Sequence, residues 1–331
     1  MQKKQETYLV TGASGFVGGV LVRHLLDEGK RVRGMVRSDA QAEGLRALGA
    51  DAAVGDLSDV DSLVRAVDGI AGVYHIAALF RQTGFPDEVF HDVNAEGTRR
   101  LLDASINVGV RRFVHCSTVG VLGHIENPPA DEDTPYHPGD VYQRTKMEGE
   151  MIALETFRAG AISGVVIRPA MIYGPGDART LKLFRMIARR RFFYVGKGQA
   201  AVHWVDVRDL ARAFRLAMEH DTIDGEVYIV AGKTSVTLEA MCREVADQLG
   251  VPPPWLRLPV RPVQWAGSLC EMICRPLGVE PPLYRRRVDF YTKSRDFNAS
   301  KAQRDLGFEP AQDFSAEIGD IIRSYRESGR I

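Results

Sequence analysis

Tyr142-Gln143-Arg144-Thr145-Lys146 sets a phenol and an ammonium four residues apart at the start of a stretch with helical spacing, just after the breaker-rich segment Pro135–Asp140. Positions i and i+4 share a helix face, so both groups reach into one space. An adjacent cation favours phenolate, which suits Tyr142 to general acid or base work near neutral pH, and Lys146 can also donate to a ribose hydroxyl. Two hydroxyls, Ser117 and Thr118, follow the apolar run Arg112-Phe113-Val114-His115-Cys116. A hydroxyl at the carboxyl end of a strand can hold a carbonyl or alcohol oxygen while Tyr142 moves its proton. Taken singly, these pieces are ordinary: Tyr–Lys pairs occur on solvated helices, and Ser and Thr often close strands. What distinguishes them is their order behind a glycine loop.

That loop is Thr11-Gly12-Ala13-Ser14-Gly15-Phe16-Val17-Gly18, between the apolar run Tyr8-Leu9-Val10 and a segment with helical spacing. A strand that turns on glycines into a helix presents backbone N–H groups and the positive end of a helix to an anion. Gly12 permits the tight turn, Gly15 lets the backbone approach a pyrophosphate, and Gly18 lets helix and strand pack closely.

The elements that must position these residues alternate along the first half. Strands are expected at Tyr8–Thr11, Arg31–Val36, Ala52–Val54, Val73–Ile76, Arg112–Ser117 and Val165–Arg168, with helices near Gly15–Glu28, Ala40–Leu48, Asp59–Val67, Glu88–Asn107 and Val141–Phe157. Apolar strands alternating with helices imply a parallel sheet covered on both faces, an α/β doubly wound Rossmann-type architecture that binds ligands beyond its strand carboxyl ends. From Pro169 onward prolines break the chain into shorter pieces, as expected of a smaller, mixed C-terminal lobe. Residues 1–170 are therefore expected to form the dinucleotide-binding unit and 171–331 mainly a substrate lobe. The chain is expected to return to the sheet within 200–232, where Gly225–Ala231 reads as a strand.

Composition narrows the function classes. The 331 residues carry 43 Lys+Arg against 43 Asp+Glu, a balance that argues against nucleic acid as the main partner. No apolar run reaches the ~18 residues of a membrane span, and Gln2-Lys3-Lys4-Gln5-Glu6 is not a signal-peptide start. Cys116, Cys242, Cys270 and Cys274 form no CxxC pair, and neither they nor the eight histidines show metal-ligand spacing. A reduced, cytoplasmic setting is the expectation, with no metal.

Taken in order, the motifs resemble the extended short-chain dehydrogenase/reductase superfamily, in its epimerase/dehydratase and 3β-hydroxysteroid-dehydrogenase-like branch. The matching pieces are Thr11–Gly18, Gly55-Asp56-Leu57, Val73–Ala78, Val93–Thr98, Cys116–Gly123, Tyr142–Lys146, Arg168–Gly176, His203–Leu210, Phe297–Lys301 and Leu306-Gly307-Phe308, so the resemblance spans nearly the whole chain. It implies Tyr142 as general acid/base, Lys146 as its activator, and Thr118 as the catalytic hydroxyl with Ser117 the alternative. It also implies a cofactor site made of Gly12, Ser14, Gly15, Phe16, Val17, Gly18, Arg37, Asp56, Leu57, Ala77, Ala78, Ser117, Tyr142, Lys146 and Pro169. Asp56 would accept from adenine, Ala77 and Ala78 would line the cofactor, and Asn94 would be a supporting polar residue. The resemblance further implies a homodimer pairing through helices that include Val141–Phe157.

Arg37 bears on which dinucleotide is bound. NAD-selective members carry an acid at the end of the second strand, whereas the run Arg31–Val36 ends in Arg37. A guanidinium suits a 2′-phosphate, so NADP is expected; NAD is the alternative, served by Asp39. Sugar-nucleotide members often place an Arg where Val202 stands before His203-Trp204. Arg179, Lys182, Arg185, Arg189, Arg190, Arg191 and Arg295 are other sources of a phosphate grip, or else solvated charges. A dehydrogenase/reductase acting on a small-molecule secondary alcohol or ketone is the leading expectation. A nucleotide-sugar epimerase or dehydratase is second, and a non-catalytic dinucleotide sensor last. Trp255–Ile273 has Val263, Ala266, Leu269, Cys270 and Ile273 at helical spacing with Arg285-Arg286-Arg287 beyond it. This reads as a helix packed on the core, with a membrane-surface helix as the alternative.

Overall fold

Successive side chains of a strand point to opposite faces of a sheet. Leu9 and Val10, Val73 and Tyr74, Phe113 and Val114, and Val166 and Val165 are all buried, yet the members of each pair join different hydrophobic clusters. Strands apolar on both sides require cover on both sides. The computed structural model describes residues 6–80, 84–274 and 293–331. Gln2–Gln5, Pro276, Pro281-Pro282 and Arg285–Arg287 lie outside the described residues.

Strands β1 (Thr7–Thr11), β2 (Arg31–Val36), β3 (Asp51–Val54), β4 (Gly72–His75), β5 (Arg112–Cys116) and β6 (Ser163–Pro169) join the late strand Val227–Val230 in one seven-stranded sheet. Its spatial order is Val227–Val230, β6, β5, β4, β1, β2, β3, with every neighbour parallel. Helices α1 (Phe16–Asp27) and α2 (Asp39–Ala47) cover one face together with Val207–Glu219. Helix α3 (Val60–Val67) covers the other face. It is joined there by α5 (Gly97–Asn107), which follows the short α4 (Asp87–His91), and by α6 (Val141–Arg158). The strand order reverses between β1 and β4, the crevice where such sheets receive ligands.

The segment expected as one helix over Glu88–Asn107 is interrupted by a π-turn, Asp92–Glu96. Asn94 is buried there, with its amide spent on two other elements: Oδ1 accepts from the Leu79 N–H (2.7 Å), and Nδ2 donates to Thr145 Oγ1 (3.0 Å). A Cβ on Gly149 of α6 would overlap the Asn94 carbonyl, so only glycine lets the two elements approach this closely.

Residues after β6 build a third cluster, in which Tyr173, Phe184, Trp204, Met241, Ile318, Ile321 and Tyr325 pack together. Complete burial of such side chains contributes roughly 1.5–3 kcal/mol each. Short strand pairs brace it: Met171–Tyr173 with Trp204–Asp206, Ala201–Val202 with Val236–Thr237, and Tyr194–Val195 with Arg257–Leu258. Inside it, buried Glu317 of the helix Phe314–Glu327 accepts from the Tyr173 hydroxyl. Burial, helped by Asp206 and Asp209, pushes Glu317 up to about 7, although the Tyr173 hydrogen bond pulls the other way.

The helix Val260–Cys274 forms as expected, but with a different face inward. Gly267 is buried and Val263, Cys270 and Cys274 are half-buried, whereas Ala266 and Leu269 are exposed along with Trp265 and Met272. The physical reason is spacing: positions 263, 267, 270 and 274 make their own stripe, and its small residues allow the helix backbone close to the protein. Among the described residues, no helix is long and apolar enough to cross a membrane.

Candidate active site and cofactor cradle

The glycine loop closes on itself, with the Gly15 N–H donating to the Gly12 carbonyl (2.9 Å). Gly12 has φ +67°, and a Cβ on it would lie 3.0 Å from the Ala77 backbone. A Cβ on Gly18 would overlap the Gly12 carbonyl, which explains glycine at the first turn of α1. The helix begins at Gly15 with no side-chain cap and no acid in its first turn. By contrast, Ser38, Asp59 and Asp140 cap α2, α3 and α6. The first N–H groups of α1 therefore keep their donors for an anion. Ser14 and Gly15 are exposed, and Phe16 and Val17 half-buried, beside this opening. A cleft of about 610 Å³ runs from Ser14, Gly15 and Phe16 past Arg23 and Gln41 to Asp177 and Arg179.

The loop after β4 is tied to the same turn. Thr11 Oγ1 accepts from the Ile76 and Ala77 N–H groups (3.0 Å each) and meets His75 Nδ1 at 2.9 Å, while His75 Nε2 meets Thr98 Oγ1 at 3.0 Å. Burial, aided by Lys146, pulls His75 down to about 3, so the ring is neutral at pH 7. Ala77 is half-buried against Gly12 and Ala78 is exposed.

At the other end of the cradle, Arg37 is exposed just past β2, with its N–H donating to Gln41 Oε1. Asp56 is half-buried; burial would raise it, but the Ser58 N–H and hydroxyl and the charges of Arg37 and Arg100 bring it below the usual carboxylate range. Arg37 and Asp56 thus share one neighbourhood. Leu57 is buried in the core against Gly97. Pro169 is buried at the end of β6, paired with Val230.

The carboxyl end of β5 holds the candidate catalytic residues. Thr118 caps the 3₁₀ turn Val119–Leu122, its Oγ1 accepting from the Gly120 N–H (3.0 Å), which leaves its own proton to donate. The Gln143 side chain of α6 lies against this turn. Tyr142 is half-buried, with its ring edge-on to Phe80 at 5.0 Å between centroids. One turn later Lys146 is buried, and its Nζ donates to the Cys116 carbonyl (2.6 Å) at the end of β5. Burial pulls Lys146 below the usual lysine range, opposed by Cys116 and Glu150. Thr118, Lys146 and the first turn of α6, which bears Tyr142, therefore meet at the carboxyl end of β5, on the same edge of the parallel sheet as the glycine loop.

Ser117 does not face that space: its hydroxyl donates to Glu150 inside the protein. It belongs to a network that the sequence reading passed over. Arg168 Nη2 lies 2.6 Å from Glu150 Oε1, the Tyr136 hydroxyl donates to the same oxygen (2.8 Å), and Arg168 sits over the Tyr136 ring at 5.1 Å. Its signal was present as Glu150, four residues beyond Lys146 and on the same helix face.

The other basic candidates scatter. Arg179 pairs with buried Asp177 and covers the Phe16 ring at 5.3 Å, beside the loop. Arg185 donates to the Arg330 carbonyl near the C-terminus, and Lys182, Arg189, Arg190 and Arg191 are exposed. Val202 is buried, with Arg295 bridged to it through the backbone. His203 is held by the Gly232 carbonyl (2.9 Å) and lies 3.4 Å from Asp296.

Comparison with known proteins agrees with this geometry. Residues 8–231 match the model of the NAD dependent epimerase/dehydratase family. The chain is 33% identical to "Sterol demethylase protein B" of Methylococcus capsulatus over 98% of this chain and all of that one. It is 31% identical to a 3 beta-hydroxysteroid dehydrogenase/Delta 5-->4-isomerase of Mycobacterium tuberculosis over 91% of this chain and 85% of that one. The crystal structure of gox2253 superposes with a TM-score of 0.82 at 32% identity, covering 99% of this chain and 100% of that one. A chain with this sheet, this glycine turn and this Tyr–Lys helix is an NAD(P)-dependent enzyme, and it belongs to the NAD dependent epimerase/dehydratase family of the extended short-chain dehydrogenase/reductases.

Proposed function

We propose that the protein is a dehydrogenase/reductase that interconverts a secondary alcohol and a ketone on a small-molecule substrate, using NADP in preference to NAD. The observation that carries this reading is the meeting of Thr118, Lys146 and the first turn of α6, which bears Tyr142, at the end of β5, on the same sheet edge as the uncapped start of α1. The glycine turn fits a dinucleotide pyrophosphate: Gly12 and Gly18 let the turn pack against Ala77 and on itself, and the start of α1 carries neither a side-chain cap nor an acid. Residues 1–170 with the return segment 200–232 hold the dinucleotide, and 171–331 form most of the substrate lobe.

A bound reduced nicotinamide supplies hydride to the carbonyl carbon. Tyr142 gives its phenolic proton to the carbonyl oxygen as that oxygen gains charge. Thr118 donates a hydrogen bond to the same oxygen, and the proton it keeps free is what permits this. Lys146, fixed to the Cys116 carbonyl, sets a positive charge one turn from the phenolate that remains. In the oxidative direction each step reverses.

The preference for NADP rests on Arg37, exposed beside Asp56, where a guanidinium suits a 2′-phosphate. The dehydrogenase reading draws support from the steroid dehydrogenase among the relatives and from Val202, which puts no charge where a diphosphate grip is often found. The second reading is a nucleotide-sugar epimerase or dehydratase with NAD recycled in place. Arg295, whose backbone bridges to Val202, favours it by placing a basic residue in the segment beside that position.

The test is to denature freshly purified protein and identify any released dinucleotide by mass. A site free of tightly held dinucleotide that then binds NADPH better than NADH, with ketone-dependent NADPH oxidation, supports the proposal. Retention of NAD near one per chain overturns it in favour of the epimerase or dehydratase.

A further inference from the structure

Arg179 follows β6 in the chain, yet its guanidinium rests on the first residue of α1: Cζ lies 5.3 Å from the centroid of the Phe16 ring. Side chains on a helix slope toward its N-terminus, so the Phe16 ring leans back over the uncapped start rather than along the helix body. Arg179 and Phe16 line one cleft with Ser14 and Gly15, the residues at that start.

A buried acid fixes the pose of the guanidinium. Asp177 is 1% exposed, and its Oδ1 accepts from both the Arg179 backbone N–H and Nε, at 2.9 Å each. Nη2 donates to Asp177 Oδ2 (3.3 Å) and to the Ile172 carbonyl (3.0 Å). Asp177 is held in turn. Its N–H donates to the Gly174 carbonyl (3.2 Å), and its carbonyl accepts from the buried Tyr325 hydroxyl of the helix Phe314–Glu327 (2.5 Å). These bonds use Nε and Nη2. Among the described residues, no acceptor takes the two Nη1 hydrogens, and the Arg179 side chain is 45% exposed. Asp177 cancels most of the cation's charge at a distance, so what Arg179 offers a ligand is a directed pair of donors, already oriented.

We propose that Arg179 is a dinucleotide ligand supplied by the lobe after β6, its Nη1 donating to the same pyrophosphate that the first N–H groups of α1 receive. The clamp rests on the dinucleotide fit of the glycine turn and adds a tie between cofactor and lobe. That tie runs through Arg179 and Asp177 to Tyr325, which is buried in the third cluster. A bound dinucleotide thereby steadies the part of the chain that receives substrate.

The experiment titrates the full chain by calorimetry with ADP-ribose, which carries the pyrophosphate, and with adenosine, which does not. Removing Arg179 alone strands the Asp177 charge. The variants are therefore Arg179→Lys, which keeps the charge and loses the fork, and the double variant Asp177→Asn, Arg179→Gln, which removes both charges. Both should bind ADP-ribose at least tenfold more weakly and adenosine within twofold of the parent. ADP-ribose should also slow amide exchange around Tyr325 in the parent but not in the variants. Equal losses for the two ligands overturn the proposal, because Arg179 is then a strut that shapes the cradle. Unchanged ADP-ribose affinity overturns it too; if UDP-glucose binding to the NADPH-loaded protein falls instead, the diphosphate gripped is a substrate's. A parent that binds neither NADPH nor ADP-ribose defeats the dinucleotide reading along with the clamp, which separates that failure from a failure of the clamp alone.

Discussion

Glu150 and Arg168 face each other across the joint between α6 and β6, 2.6 Å apart, with side-chain exposures of 0% and 3%. The pair fixes the helix bearing Tyr142 and Lys146 to a strand that ends at the ligand edge of the sheet. A buried ion pair contributes little net stability, but breaking one side strands a charge in the interior at a cost of about 3–5 kcal/mol. Glu150→Leu and Arg168→Met should each lower the unfolding free energy by that amount in denaturant titrations. The double variant should lose clearly less than the sum of the two. Additive losses would show that the residues do not act as a pair.

Tyr142→Phe removes one oxygen and little else. Turnover should fall by ~10²-fold or more while dinucleotide affinity stays within a few-fold. Steady-state kinetics and a binding isotherm on the same preparation decide the matter, and retained turnover removes Tyr142 from the chemistry.

Gly18 and Gly19 are adjacent on α1 but differ in what surrounds them. A Cβ on Gly18 meets the Gly12 carbonyl, whereas on Gly19 the nearest atom outside the helix is the Ala13 carbonyl oxygen at 3.4 Å. Gly18→Ala should weaken dinucleotide binding more than tenfold and cost about 1–3 kcal/mol through overpacking. Gly19→Ala should be neutral or stabilise by up to about 1 kcal/mol, through helix propensity. Calorimetric melts with and without dinucleotide compare the two.

Arg37→Ser should reduce NADPH affinity by at least tenfold, the scale of one charge-assisted hydrogen bond of about 1.5–3 kcal/mol, and leave NADH affinity nearly unchanged. Equal loss for both cofactors would place Arg37 outside the 2′-phosphate site.

Glu317 titrates near 7 in the folded protein against the usual carboxylate value of 4.5. A raised acid is bound to its proton in the fold and not in the unfolded chain across that window. Its contribution is complete below about 4.5 and is lost as pH rises toward 7. Glu317→Gln keeps an acceptor for the Tyr173 hydroxyl without the charge. Thermal melts should therefore show the variant gaining on the parent as pH climbs from 4.5 to 7 and holding that gain above it. A constant difference across the range would mean that Glu317 titrates normally.

Much of the architecture was readable because parallel strands buried on both faces leave continuous apolar runs. All seven sheet strands were expected within a residue or two at their ends, including the late one near Gly225–Ala231. The glycine turn was equally legible, since only glycine meets the demands at 12 and 18. The π-turn at Asp92–Glu96 was not, because a one-residue widening leaves the apolar period nearly intact and shows only in where Asn94 bonds. Nor was the inward turn of Ser117, which depends on Glu150 arriving from another element. The helix Val260–Cys274 misled for a related reason: its apolar spacing offered two possible stripes, and the buried one holds the smaller residues.

The strand Val227–Val230 lies beside β6, although the whole stretch after Pro169 separates them in the chain. A ribosome releases β6 long before its outer neighbour exists, so the nascent sheet waits with that edge bare and open to any other extended chain. A polypeptide ended at residue 170, the expected bound of the dinucleotide-binding unit, would keep that edge for good. It should gather into aggregates rather than yield a working nucleotide-binding half.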